Sequence, residues 1–269
     1  MTDSNFPPDW TPDQSFGDGR VGLRLVDRVA ILAIQIPQKL NALDEPATAG
    51  MVKALETAVA AGARALIFTG IGGKSFISGA NLSGFEGPRP TGVDFVARQK
   101  MLLDCPIPII AAIKGYCIGG GLMTAMNCDF RLASSDSSFG IPATRLGLSY
   151  GSEGLQSLVD AIGPARTRRL LFVGDRVDAE TARDWGLVEH VYAPDALWPA
   201  ALNFANQIAA NAPLSVRATK ETIADLLKPE SARNPARIAE IALECRESHD
   251  FREGRDAVRE KRPPRFEGR

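Results

Sequence analysis

Hydrophobic positions along the chain change period several times, and each change marks an element. Val21 to Asp27 and Arg28 to Ile36 are two runs dominated by apolar and β-branched residues around a charged turn, which predicts a hairpin of strands. From Leu43 to Ala61 the apolar residues Met51, Val52, Leu55, Ala58 and Val59 fall on one helical face, and Gly62 closes that helix. Ala65 to Thr69 has the composition of a buried strand. The stretch from Gly70 to Gly92 is rich in Gly, Ser, Asn and Pro and is too long for a plain connection, so it reads as a functional loop or lid. Val93 to Asp104 then reads as a helix, Ile109 to Lys114 as a strand, Gly119 to Cys128 as a small-residue helix and Phe130 to Ala133 as a strand. The repeating unit is strand, turn, helix. From Pro164 helices prevail: Ala165 to Gly174, Asp178 to Gly186, Pro194 to Asn211, Leu214 to Leu227 and Asn234 to Lys261, interrupted by a strand at Val188 to Tyr192. This segregation predicts an α/β core over residues 1–200 and a helical C-terminal region over residues 201–269.

Composition narrows the function classes. A 269-residue chain with 45% hydrophobic and 23% charged residues can bury a sizeable core. Lys and Arg number 31 against 32 for Asp and Glu, a net charge of −1, so no global field attracts nucleic acid or an anionic membrane, and any anion must be bound locally. The longest apolar stretches, such as Ile107 to Ile113, are broken by Pro108 or fall far short of the ~20 residues of a spanning helix. Met1 to Asp18 has neither a basic region followed by an apolar run nor a small-residue cleavage pattern, so a soluble, cytoplasmic protein is expected. Cys105, Cys117, Cys128 and Cys245 lie mostly in apolar sequence without C-x-x-C spacing and read as buried thiols. His190 and His249 stand apart from any ligand cluster, so no metal is expected. Trp185 and Trp198 read as core.

Two glycine-rich segments carry the chemistry. Lys114 to Asp129 runs from a strand through Gly119-Gly120-Gly121 into a helix of small residues, which leaves unengaged backbone N–H groups facing one spot that favours an anion or a developing oxyanion. Packing alone is the competing account of those glycines. Phe68 to Leu82 is a strand followed by a glycine-rich loop that can present a second free N–H near Ala80. Neither segment has the G-x-x-x-x-G-K-[ST] pattern, which disfavours a nucleoside triphosphate.

With both segments in this order, the chain resembles the enoyl-CoA hydratase/isomerase family, the crotonase superfamily. The resemblance takes in Gln38-Lys39-Leu40-Asn41-Ala42-Leu43, Gly79-Ala80-Asn81-Leu82, Gly119 to Asp129, Phe139-Gly140-Ile141-Pro142 and Leu146-Gly147. It continues through Phe172-Val173-Gly174-Asp175-Arg176, Trp185-Gly186-Leu187-Val188, Asn211-Ala212-Pro213 and Glu260-Lys261-Arg262-Pro263. It implies a crotonase-like α/β fold, a spiral of strand-strand-helix turns, whose helical C-terminal part builds a homotrimer or a homohexamer. The implied partner is an acyl-CoA thioester, with CoA as part of the substrate and no separate cofactor. The implied oxyanion hole is the backbone N–H of Ala80 and that of Gly120, stabilising an enolate or tetrahedral oxyanion. Lys39 and Lys261 match best as contacts to CoA phosphates, Lys261 from a neighbouring subunit, with Ala42, Ala80 and Leu82 along the CoA path. Phe76, Phe85, Phe95 and Met101 are candidates for the wall of an acyl tunnel, or plain core.

The departures bear on the reaction. Family hydratases carry two glutamates that hold and activate water, one two residues after the glycine triplet and one directly after the Phe-Gly-x-Pro proline. Here those positions are Met123 and Ala143, and neither can move a proton. Asn81 replaces the loop aspartate. Tyr150 falls where a methylmalonyl-CoA-decarboxylating member has a tyrosine. With Glu153, it would share a helical face if a helix begins near Ser149. Arg145 could neutralise a substrate carboxylate or serve as a surface ion-pair partner. Hydration, isomerisation, decarboxylation and hydrolysis all stay open, as does a catalytically weak acyl-CoA-binding protein.

Overall fold

The structure is a computed structural model and describes residues 6–81 and 99–269, apart from the side chain of Glu153. Two sheets form its centre. The larger has seven strands in the order β1 (Gln14–Phe16), β2 (Val21–Val26), β3 (Val29–Ile34), β4 (Ala65–Gly70), β6 (Ile109–Ile113), β8 (Phe130–Ser134) and β11 (His190–Tyr192). From β3 to β11 every pairing is parallel, while β1, β2 and β3 form an antiparallel meander. The smaller sheet has the order β10 (Arg176–Asp178), β9 (Ser138–Gly140), β7 (Tyr116–Ile118), β5 (Ser75–Ile77), with β10 antiparallel.

The chain therefore winds as a spiral. β4 and β5, β6 and β7, then β8 and β9 each give one strand to the large sheet and the next to the small one. The helices Gly120–Met126 and Ser152–Arg168 follow the second and third of these pairs. Residues 99–103 are helical, and the rest of the helix expected over residues 93–104 lies outside the described residues.

Alternation explains why the large sheet sits in the middle. Ala30, Leu32, Ile34, Leu66 and Phe68 face one cluster with the helix Glu45–Ala60, whereas Val29, Ile31, Ala65, Ile67, Ile110 and Ala112 face another with the helix Leu197–Ala209 and Phe6. A parallel sheet buried on both faces needs such near-continuous apolar strands. The helix Leu197–Ala209 spans residue 200, the expected limit of the core. Beyond it come the helices Pro213–Leu226, Pro235–Glu247 and His249–Glu260.

Three readings need correction. The segment expected as one helix from Asn234 to Lys261 is two, because Ser248 takes an extended ψ of 157° and caps the second through Phe251 N–H. The helix expected from Ala165 extends back to Ser152, with a break at Gly163 (φ 74°, ψ 166°) before Pro164. Trp185 is only partly buried, with the guanidinium groups of Arg166 and Arg169 over its ring, while Trp198 is core.

Candidate active site

The Ala80 loop is held by a single parallel bridge. Leu43 N–H donates to Gly79 O at 2.9 Å and Asn81 N–H donates to Leu43 O at 2.8 Å, which pairs Leu43 with Ala80. In that pattern Leu43 bonds the residues on either side of Ala80, so the N–H of Ala80 itself points away from Leu43. Among the described residues no carbonyl accepts from it.

The second donor comes from the turn after β7. Gly119 N–H is engaged by Gly140 O at 2.8 Å, and Met123 N–H returns to Gly119 O at 3.1 Å, so the Gly120 N–H has no acceptor among the described residues. Glycine is required here for two physical reasons. Gly119 adopts φ 56° with ψ −121°, a region that a side chain forbids. A Cβ on Gly121 would sit 2.1 Å from Ile77 O, so only glycine lets this helix approach β5. The two loops touch: the Cβ position of Gly119 lies 4.0 Å from Gly79 Cα, and that of Gly79 lies 3.5 Å from Ile118 O. The unengaged donors thus belong to neighbouring turns.

Asn41, which the sequence offered only as part of a motif, holds this arrangement together. It is fully buried, its Nδ2 donates to Ser75 O at 2.7 Å and Ile71 O at 3.0 Å, and its Oδ1 accepts from Ile36 N–H at 3.0 Å. It thereby ties the segment that carries Leu43 to the start of β5, whose far end leads to Ala80. Its φ of 55° is one that asparagine tolerates better than most residues.

The acid/base candidates separate. The Tyr150 side chain is half-buried against the main cluster, and its hydroxyl lies 3.5 Å from the Cβ position of Gly119. The following helix begins at Ser152, so Tyr150 precedes it, and the shared helical face expected for Tyr150 and Glu153 does not form. Glu153 lies in the first turn, with its side chain outside the described residues. Met123 and Ala143 are both buried in the main cluster and bring no titratable group.

Of the other candidates, Lys39 is exposed at the end of the 3-10 turn Pro37–Lys39, and Ala42 adjoins the Leu43 bridge. Lys261 is exposed at the C-cap of the last helix. Leu82, Phe85 and Phe95 lie outside the described residues. Phe76 is fully buried edge-on to Phe68 at 5.4 Å, and Met101 packs at the cluster's border. Arg145 donates Nε and Nη2 to Val173 O at 3.3 and 3.1 Å and has no carboxylate partner among the described residues. Burial drives the Cys117 thiol well above its ordinary pKa and that of Cys128 up to about 12, so neither is a thiolate nucleophile near neutrality. No group of three or more His, Cys, Asp or Glu among the described residues has a metal-binding arrangement. No helix among them is long and apolar enough to cross a membrane.

A two-sheet spiral with C-terminal helices and two loop N–H donors at the ends of its short strands defines the crotonase class of fold. Residues 26–269 match the profile of the enoyl-CoA hydratase/isomerase family, and the chain belongs to that family. It is 34% identical over 260 residues to the (E)-benzylidenesuccinyl-CoA hydratase of Thauera aromatica, covering 92% of this chain and 99% of that protein. It is also 34% identical over 248 residues to the crotonyl-CoA hydratase of Syntrophomonas wolfei, covering 89% and 95%. Among solved structures, an enoyl-CoA hydratase/carnithine racemase from Magnetospirillum magneticum superposes with a TM-score of 0.86 at 30% identity, covering 93% of this chain and 96% of that one.

Proposed function

We propose that the protein is an enzyme acting on an acyl-CoA thioester, whose carbonyl oxygen lies between the N–H groups of Ala80 and Gly120. The observation that carries this is the pair of unengaged donors on touching turns, flanked by the engaged N–H groups of Asn81 and Gly119. Two fixed donors aimed at developing negative charge favour an enolate or a tetrahedral oxyanion over the neutral thioester, and each such donor is worth roughly 3 to 4 kcal/mol in a transition state. Family membership, with relatives named for CoA thioesters, supports the same substrate class. Lys39, Ala42, Leu82 and, from a neighbouring subunit, Lys261 would then hold the CoA portion.

The acid/base step differs from two-glutamate hydration, because Met123 and Ala143 cannot activate water. Tyr150 is the group beside the oxyanion turn that can donate a proton to the enolate carbon or to a leaving group, and Glu153, in the first turn of the next helix, is the second acid/base candidate. The buried side chains at both glutamate positions also favour a second reading, a catalytically weak acyl-CoA-binding protein.

Calorimetry with acetoacetyl-CoA, a stable enolate-like ligand, tests the shared part of both readings. Micromolar binding is expected. No heat at millimolar ligand would overturn it.

A further inference from the structure

Beside the oxyanion turn opens a groove of about 320 Å³, with Leu40, Ser78, Tyr116, Ile118, Arg145 and Arg176 among its walls. Ser78 stands two residues before Ala80 and Ile118 two before Gly120, so each donor is at most about 7 Å of chain from the groove.

The two arginines of the groove have no carboxylate partner among the described residues, unlike nine others of the chain. Arg20, Arg131, Arg169, Arg183, Arg217, Arg237, Arg259, Arg262 and Arg269 each pair with a carboxylate. Arg176 has its guanidinium over the Tyr116 ring at 5.2 Å, and among the described residues no carboxylate lies within ion-pair distance. Among the described residues Arg145 bonds only the neutral carbonyl of Val173. It lies against Gly174, where a Cβ would come within 3.2 Å of its Nε. Two guanidinium groups without counterions among the described residues, in a groove with apolar walls, give a local positive potential on a chain of net charge −1.

We infer that this groove takes a carboxylate carried by the acyl part of the substrate, which makes the substrate class a dicarboxylic acyl-CoA. The inference rests on the thioester reading above. Guanidinium forks match the planar carboxylate, and an anion at the groove must sit close to the thioester carbonyl. The pyrophosphate of CoA is the full length of the pantetheine arm away from the sulfur, so a carboxylate a few carbons along the acyl chain fits the position better.

The test compares glutaryl-CoA and adipyl-CoA with pentanoyl-CoA and hexanoyl-CoA, which have methyl in place of carboxylate, by calorimetry on the full-length protein. Wild type should bind at least one dicarboxylic thioester roughly tenfold or more tighter than its methyl counterpart, the scale of a charge-assisted hydrogen bond. That preference should fall to about twofold in Arg145→Met with Arg176→Met, and return in part with lysine at both positions. Circular dichroism would verify that the variants fold. If both kinds of thioester bind equally to wild type, or the variants weaken all thioesters and free CoA alike, the carboxylate assignment fails while the thioester reading stands. If no thioester binds wild type, both fall together.

Discussion

Tyr150 is placed by the residue it follows and the one it faces. Its hydroxyl rests 3.5 Å from the Cβ position of Gly119, so a larger residue there would press on the tyrosine. A phenol hydroxyl can both donate and accept a hydrogen bond. The chemistry is read by exchange: in D2O the enzyme should incorporate deuterium at the α-carbon of a bound acyl-CoA, detected by mass spectrometry. Tyr150→Phe should slow this at least ~10²-fold, the usual contribution of a positioned acid or base, while acetoacetyl-CoA affinity stays within about threefold. An unchanged exchange rate would assign Tyr150 to packing and leave the proton to Glu153 or water. At this scale the glycines were legible in sequence as a strand running into Gly119-Gly120-Gly121, with helix packing as the competing use, and Gly121 does pack closely against Ile77. The contacts of Asn41 and Arg176 were not, because each depends on partners far along the chain: Ile71 and Ser75 for one, Tyr116 for the other.

Elements were legible in proportion to their length. Val29–Ile34, Ala65–Gly70 and Ile109–Ile113 have five or six residues, enough to show a β pattern. Their companions Ser75–Ile77, Tyr116–Ile118 and Ser138–Gly140 have three each, too few for any period, and two of them sit among glycines that read as loop. They entered the expectation only through the family resemblance, although Ser75–Ile77 leads toward Ala80 and Tyr116–Ile118 toward Gly120. The last helix, His249–Glu260, shows a further element-scale device. Glu253 takes a two-pronged ion pair from Arg262 at 2.6 and 2.8 Å and a hydrogen bond from Arg265 N–H at 2.7 Å, which folds the terminal segment back on the helix. Arg262 first, then the Arg265 N–H, holds the Glu253 carboxyl down from about 4.5 to about 2. A depressed carboxylate stabilises the fold fully above its unfolded value, and that contribution disappears as pH falls from about 4.5 to about 2. The urea midpoint of Glu253→Gln should therefore lie below wild type at pH 6, with the gap at roughly half or less by pH 3. A gap that stays constant over that range would show that the ion pair is not its source.

The whole molecule carries apolar surface that one chain leaves uncovered. Leu227 and Val258 are 72% and 81% exposed, and Ile223, Leu226, Leu243 and Phe251 on the same C-terminal helices are exposed too. A second group, Leu146, Leu148, Phe172 and Val173, projects from two turns joined by the Thr144 hydroxyl to Leu171 O and by Arg145 to Val173 O. Isolated exposed leucines need no explanation, but contiguous exposed apolar patches mark interaction surfaces. Neither group lies over the large sheet, whose two faces are already covered from within the chain by Glu45–Ala60 and Leu197–Ala209. We therefore propose that residues 201–269 build a homotrimer or homohexamer, with the helices beyond Ala209 as its contact surface and Lys261 brought toward a neighbour's thioester site. Light scattering after size exclusion at micromolar concentration should give three or six times the chain's 28.8 kDa. Leu227→Glu with Val258→Glu should lower that mass while the far-ultraviolet circular dichroism is kept, because both side chains are already mostly in water within a single chain and owe the core little. The dissociated variant should also bind acetoacetyl-CoA more weakly, since Lys261 would no longer reach the CoA of a neighbour. A wild-type protein that scatters as a monomer at this concentration would refute both the interface and the shared CoA site.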